Sequence, residues 1–322
     1  MRSAMRSVVW GIFIPIMVML IAPHVFPSGL GITVLSQIGI AIIACLSYNL
    51  LLGQGGMLSF GHAVYTGMGA FCAIHVLNKV GDGSLGFFMP VSLIPLVGGL
   101  AGMAVAIVLG YITTRKSGAT FAMITMGVGE LVFAFALMSS PFFGGEGGIS
   151  GNRVIAPTVM GIDYISPLQV YYLIAVYTIL SAALLFAFTK TPLGLLLNAV
   201  RDNAERVAFM GYNAHRIRYI TFIIAGFFAG IAGGVSAIHW EIITVESLST
   251  ARSGGYLLFT FLGGTGFFFG PVIGAILMVL ALVVLSEFTV LWALYVGMVF
   301  ILMMMFAPQG IAALLVKIFQ RR

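Results

Sequence analysis

The chain has 322 residues, of which 61% are hydrophobic and only 7% charged, with a formal net charge of +6 and a mean hydropathy of +1.13. A soluble domain carries about 25% charged residues, so this chain cannot cover itself with a solvated shell. The composition predicts an all-α, polytopic membrane protein with a single transmembrane domain over 1–322 and no separate soluble domain.

A hydrocarbon core about 30 Å thick needs about 20 apolar residues as helix. That rule predicts spans near 7–26, 32–52, 57–78, 88–113, 119–139, 167–189, 219–239 and 288–307. The first follows Arg2 and Arg6 and carries no convincing signal-cleavage site, so it reads as a span. The region 255–286 would reach about 48 Å as one helix. It is interrupted by Gly263-Gly264-Thr265-Gly266 and by Gly270-Pro271, so it reads as two segments, the first of them short. The total is about ten transmembrane helices, some broken or short.

Charge sets the orientation. Loop 190–218 holds Lys190, Arg201, Arg206, Arg216 and Arg218, whereas loop 140–166 holds only Arg153 beside Glu146 and Asp163. The positive-inside rule places the first loop in the cytoplasm and the second outside. Arg2 and Arg6, Arg115 and Lys116, and the tail with Lys317, Arg321 and Arg322 then all belong inside, which an even number of spans satisfies. The basic residues are orientation marks, and no nucleic-acid partner is implied. Cys45 and Cys72 lie in apolar segments and read as small buried hydrophobes, not as a disulfide or a metal pair.

Helix breaks are expected at Gly53, Gly56, Gly263, Gly266, Gly270 and Pro271. Leu52-Gly53-Gln54-Gly55-Gly56 and Leu262-Gly263-Gly264-Thr265-Gly266 share the pattern L-G-x-x-G. Glycine-interrupted segments in corresponding halves point to an inverted repeat and a transport site near the midplane, although glycine is common in membrane helices. An unpaired backbone group in lipid costs several kcal/mol, so the Gly53–Gly56 loop must lie at the surface, be buried in protein or line a watery cavity. Asn49, Gln54, Ser59 and His62 in this stretch are candidates for a translocation path. Gly61, Gly67 and Gly69 read more simply as sites of close helix packing. Glu130, near the middle of its span, should face the bundle interior, either as a path residue or as a buried hydrogen-bonded group.

The loop from Thr189 to Tyr219 is more than a connector. Thr191 can cap a helix that opens on Pro192. Leu195, Val200, Ala204, Val207 and Met210 recur at helical spacing, with Arg201, Asp202, Glu205 and Arg206 on the remaining face. Gly211 can end this helix in left-handed geometry, and Asn213 can cap the next. A cytoplasmic amphipathic helix over Pro192–Met210 suits lipid headgroups or a groove on a partner, and its mixed charge favours a protein. No G-x-x-x-x-G-K-[ST], H-E-x-x-H or G-x-S-x-G sequence occurs, so neither a phosphate loop, a zinc pair nor a nucleophile turn is visible. No catalytic or metal residue is assigned.

Together these stretches resemble the M-type permease subunits of bacterial high-affinity branched-chain amino acid importers of the ATP-binding cassette class. The resemblance runs over nearly the whole chain. It is carried by Leu46–Ala70, by Ser117–Phe133 with the loop Phe143–Gly151, by Thr191–Gly234, and by Leu262–Leu277 with the tail Phe306–Ile311. It implies that Glu205 and Gly211 belong to an ATPase-docking motif, with Arg201, Asp202, Arg206 and Met210 beside them. Arg206 and Val207 stand where the family usually has two alanines. It implies a second permease, two cytoplasmic ATPases that bind ATP and Mg, a periplasmic binding protein, and a place in the bacterial inner membrane with both termini cytoplasmic. No cofactor is expected in this chain. Related permeases carry urea, short amides or aromatic acids, so the substrate is the weakest inference. The rival is an ion-coupled secondary transporter of a small polar solute, for which Glu130 is nearly the only available carboxylate. An intramembrane enzyme lacks its residues.

Overall fold

The computed structural model describes residues 17, 19–84, 89–154, 164–306 and 310–314. The basic residues Arg2, Arg6, Lys317, Arg321 and Arg322, most of the expected span 7–26, and Asp163 lie outside the described residues. Residues 19–25 are helical. Helix α1 (Gly29–Asn49) is capped by Ser28, whose side chain accepts from the Gly31 amide. It passes into a π-helical turn at Leu50–Gln54. The backbone is then non-helical up to α2 (His62–Gly81), with Gly56 in the left-handed region at φ 63°. Next come α3 (Ile94–Thr113), α4 (Gly118–Met138), the single turn α5 (Ser140–Phe143) and the two-residue strand β1 (Ile149–Ser150). Helices α6 (Pro167–Lys190), α7 (Pro192–Asp202), α8 (Ala204–Phe209) and α9 (Ala214–Trp240) follow. Strand β2 (Ile242–Ile243), α10 (Thr250–Gly263), α11 (Gly270–Phe288) and α12 (Trp292–Phe306) complete the order.

Among the described residues, six stretches are long and apolar enough to cross a membrane: Gly29–Gln54, Val91–Thr113, Gly118–Met138, Pro167–Lys190, Ala214–Trp240 and Gly270–Phe288. The chain is thus an all-α, multi-pass membrane protein, with one two-residue β pair among the described residues. Helix α2 also has membrane length. It is largely buried among its neighbours and so does not need the apolar exterior of a lipid-facing helix. It begins at His62, five residues later than the span expected from 57, because Gly56 turns the chain. The interruption of 255–286 is present as the gap between α10 and α11, where Gly264 has φ 107°.

Close approach at glycine holds the centre. A Cβ on Gly69 of α2 would stand 2.6 Å from Gly230 Cα of α9 and 2.9 Å from the Gly98 carbonyl oxygen of α3. Three backbones therefore meet where only hydrogen fits, the usual way to gain packing where lipid removes the hydrophobic drive. Gly61 and Gly67 are used likewise, against Thr125 and Leu248. Helix α1 leans on α6 through Gly39, whose carbonyl accepts from Thr178 Oγ1 at 3.1 Å.

The ends of the bundle differ in chemistry. At one end β1 pairs antiparallel with β2. There Arg153 donates from Nε to the Tyr164 carbonyl at 2.8 Å and from a guanidinium NH₂ to the Ile238 carbonyl at 3.0 Å. Its guanidinium is 3.5 Å from the Glu241 carboxylate. The guanidinium thus ties up carbonyls at the C-terminus of α9, which no turn of helix follows. The opposite end carries Lys190 and the helices α7 and α8.

Candidate translocation and coupling site

The polar residues of 47–62 converge. The π-helical turn and the return at Gly56 fold the start of α2 back beside the end of α1, so that Ser47 Oγ and His62 Nε2 lie 2.9 Å apart. Tyr48 and Tyr256 both meet the His62 ring edge-on, with centroids at 5.1 Å and 6.2 Å. Asn49, Ser59 and His62 are all almost completely buried within the chain, and Gln54 is half-buried. Asn49 Oδ1, Ser59 Oγ and His62 Nδ1 are buried without a hydrogen-bond partner among the described residues. The expected path residues are therefore brought together, but inside one chain and not on an open face. The neighbouring start of α10 is pinned to them, since Ser253 Oγ accepts from the Ala63 amide at 2.8 Å. The cavity of about 590 Å³ lies elsewhere, between α1, α6 and α11, lined by Leu30, Val34, Ile38, Phe186 and Val272. Its apolar wall offers nothing to a polar solute.

The two L-G-x-x-G stretches touch. Gly53 packs against the carbonyl of Thr265, and Gly263 packs against Gly270 and Gly274. Gly266 has open space around it. Gly310, at φ 80°, closes on Gly263 and Gly264. Residues 307–309 of the expected tail motif lie outside the described residues.

Arg201 is exposed, as expected of the outward face, and it also reaches inward: a guanidinium NH₂ donates to the Gly53 carbonyl at 2.6 Å. Its Cγ would lie 2.8 Å from a Cβ on Gly56. A carbonyl left free by the distorted helix end takes the bond. Arg201 Nε also meets Asp202 Oδ1 at 3.0 Å, and Leu197 comes against Gly55. The segment that carries α7 is thereby fastened to the break at the end of α1.

That segment is two helices, not the one continuous helix expected over Pro192–Met210. Thr191 caps α7 by accepting from the Gly194 amide at 3.2 Å. Asn203 then adopts an extended backbone, φ −159° and ψ 100°, and accepts from the Arg206 amide to start α8. An asparagine prefers capping to continuing a helix, and the Asp202-Asn203 pair was the signal for it. Gly194, Leu197, Val200 and Val207 face inward, while Leu195 and Met210 are exposed, so the buried stripe differs from the expected one. Asp202, Glu205 and Arg206 are exposed as expected, and Gly211 is left-handed at φ 87°. Asn213 caps α9. The residue missed was Phe209, 91% exposed, flanked by exposed Met210 and Tyr212. An aromatic within a charged loop was the legible signal.

Glu130 does not face the interior of its own chain. Phe121, Thr125 and Gly129 form the buried stripe of α4, and Glu130 lies outside it on an exposed face with Met123, Met126 and Leu131. Too few helices of this chain pack on α4 to cover that face. Beside it runs the segment 244–249, which leaves β2, passes Leu248 against Gly67, and starts α10 at Thr250, 3.4 Å from where a Gly129 Cβ would stand. Exposed Glu246 and Arg252 sit on this segment, with the Arg252 guanidinium 5.9 Å from the Tyr256 ring centroid. Neither was singled out from the sequence, because both fall in the connection between the expected spans 219–239 and 255–286.

The sequence profile of the family described as "Branched-chain amino acid transport system / permease component" matches residues 30–308. The "High-affinity branched-chain amino acid transport system permease protein LivM" of Escherichia coli (strain K12) is 27% identical over 295 residues, covering 84% of this chain and 67% of the relative. The "Probable branched-chain amino acid transport permease protein LivM" of Methanocaldococcus jannaschii is 24% identical over 324 residues, covering 86% and 92%. The "Guanosine ABC transporter permease protein NupQ" of Bacillus subtilis (strain 168) is 37% identical over 69 residues, 21% of this chain. No solved structure matches the chain. The match to the family spans all the long apolar helices, so the chain belongs to the permease components of branched-chain amino acid transport systems and is a multi-pass membrane protein, not an enzyme.

Proposed function

We propose that this permease imports branched-chain amino acids across a bacterial inner membrane, driven by ATP hydrolysed on two cytoplasmic ATPase subunits that carry the nucleotide and Mg. A second permease would supply the other half of the path, and a periplasmic binding protein would deliver the substrate. The chain crosses ten times, with the span over 7–26, α2, α10 and α12 added to the six long stretches. Both termini and α7–α8 are cytoplasmic, and the Arg153 clasp is outside. With ten crossings α1 and α10 are six spans apart and run in the same direction, so the two L-G-x-x-G stretches do not correspond under an inverted repeat.

One observation carries the coupling role. The α7–α8 segment presents Phe209, Met210, Tyr212, Glu205 and Arg206 outward, and is fastened inward through Arg201 to Gly53. An exposed aromatic anchor within a charged rim is the composition of a protein contact. A force on it reaches the helix break beside Asn49 and Thr265. Phe209→Ala and the pair Glu205→Ala, Arg206→Ala should each lower substrate-stimulated ATP hydrolysis of the reconstituted complex by about tenfold, the scale of one lost anchor. Pull-down of the second permease should be unchanged. Wild-type stimulation in both variants would assign α7–α8 to the lipid surface instead.

A further inference from the structure

Glu130, Glu246 and Arg252 are all exposed on the chain surface, and the elements that carry Glu130 and Arg252 lie side by side away from the ends of the bundle, with Glu246 nearer the β1–β2 end. Glu130 is 12 residues into the 21-residue α4, about 18 Å from its start at 1.5 Å per residue. Thr250, two residues before Arg252, packs on Gly129, and Leu248, two residues after Glu246, packs on Gly67 within α2. A charged side chain at this depth costs about 2.5–3.5 kcal/mol on insertion scales, and such groups face protein or a watery cavity. Glu130 stands among exposed Met123, Met126 and Leu131, and exposed Arg252 lies beside Tyr256 and Glu246 on the adjoining segment, which makes this part of the surface unsuitable for lipid.

We propose that this face is a mid-membrane station for a zwitterionic amino acid, in which Arg252 takes the carboxylate and Glu130 with Glu246 takes the ammonium. The proposal rests on the importer reading and names the side chains that carry its substrate. Guanidinium and carboxylate are the groups that bind these two ends by charge-assisted hydrogen bonds. The Tyr256 ring against Arg252 holds the guanidinium in place. The methionines and Leu131 offer an apolar wall to an aliphatic side chain. No bond is made or broken: the solute exchanges water for these groups and leaves them again.

The experiment is leucine uptake by proteoliposomes holding the whole complex, with ATP hydrolysis measured in parallel. Arg252→Gln and Glu130→Gln should each cut leucine taken up per ATP hydrolysed by at least about tenfold, the loss of one charged contact. Stimulation of ATPase by the loaded binding protein should persist. Arg252→Lys, which keeps the charge, should restore part of the uptake. A ratio within twofold of wild type in both neutral variants overturns the station. So does loss of the second permease from the complex in Arg252→Gln and Arg252→Lys alike, which would make Arg252 an interface residue. If the wild-type complex itself takes up no leucine, isoleucine or valine with ATP, the importer reading fails instead.

Discussion

Single residues do more here at the ends of helices than along them. Arg153 is one residue in an otherwise glycine-rich loop, and it spends its guanidinium on carbonyls of Tyr164, Ile238 and His239 while its amide donates to Glu241. Its side chain is only 14% exposed, so its bonds are poorly replaced by water. Arg153→Ala should destabilise the protein by about 3 kcal/mol, the scale of lost hydrogen bonds to a charged group. In a thermal-shift measurement in detergent that is a fall of about 5 °C or more. An unchanged melting point would mean that the clasp is dispensable. Local chemistry of this kind was only half legible. Thr191, Asn213 and Gly211 act where their neighbours in sequence say they should, because a cap is satisfied within a few residues. Arg153 reaches 85 positions along the chain to Ile238, and no local pattern announces that.

At the scale of elements, the joint between α7 and the end of α1 is the feature that decides behaviour. Arg201 and Gly53 are 148 residues apart, so the sequence placed one in a loop and the other in a break without linking them. The break at Gly263–Gly270 was legible because proline and consecutive glycines mark it. The fold of α7–α8 into two pieces was not, since its apolar residues also fit one helix. With Arg201→Gln the link to the Gly53 carbonyl should weaken while Phe209 and its neighbours keep their place. ATP hydrolysis should then continue with amino-acid uptake reduced about tenfold or more, the loss of a charged hydrogen bond worth about 1.5 kcal/mol. Equal loss of hydrolysis and uptake would show that Arg201 serves docking and not transmission.

For the whole molecule, orientation is the claim that most other readings depend on. The loop 190–218, with Lys190, Arg201, Arg206, Arg216 and Arg218 against Asp202 and Glu205, and the Arg153 clasp occupy opposite ends of the bundle. Cysteines introduced at Glu146 and at Asn203, both exposed, should therefore differ towards an impermeant thiol reagent added outside cells. The first should react and the second should be shielded; labelling of the second from outside would invert the molecule. The all-α, multi-pass class was readable because hydropathy is a sum over many residues. The side of α4 on which Glu130 stands was not, because it depends on which helices the chain supplies to cover it. The buried fate of Asn49, Ser59 and His62 has the same origin, being fixed by α2 and α10 closing over them.

The passage of 244–249 through membrane depth bears on how the protein is made. The segment holds only a single 3₁₀ turn, Val245–Leu248, and backbone groups that such a short helix leaves unpaired are tolerated at that depth only where protein walls them off. Its walls are Gly67 of α2 and the Gly129 side of α4, which the ribosome has completed more than a hundred residues earlier. The segment is short of a span and too polar to leave the translocon sideways on its own, so it must slot into a niche already standing. Biogenesis of this chain is thus ordered. The first helices insert by hydropathy, and the element that carries Arg252 enters only after its walls, α2 and α4, are in place, as a piece of folding more than of insertion.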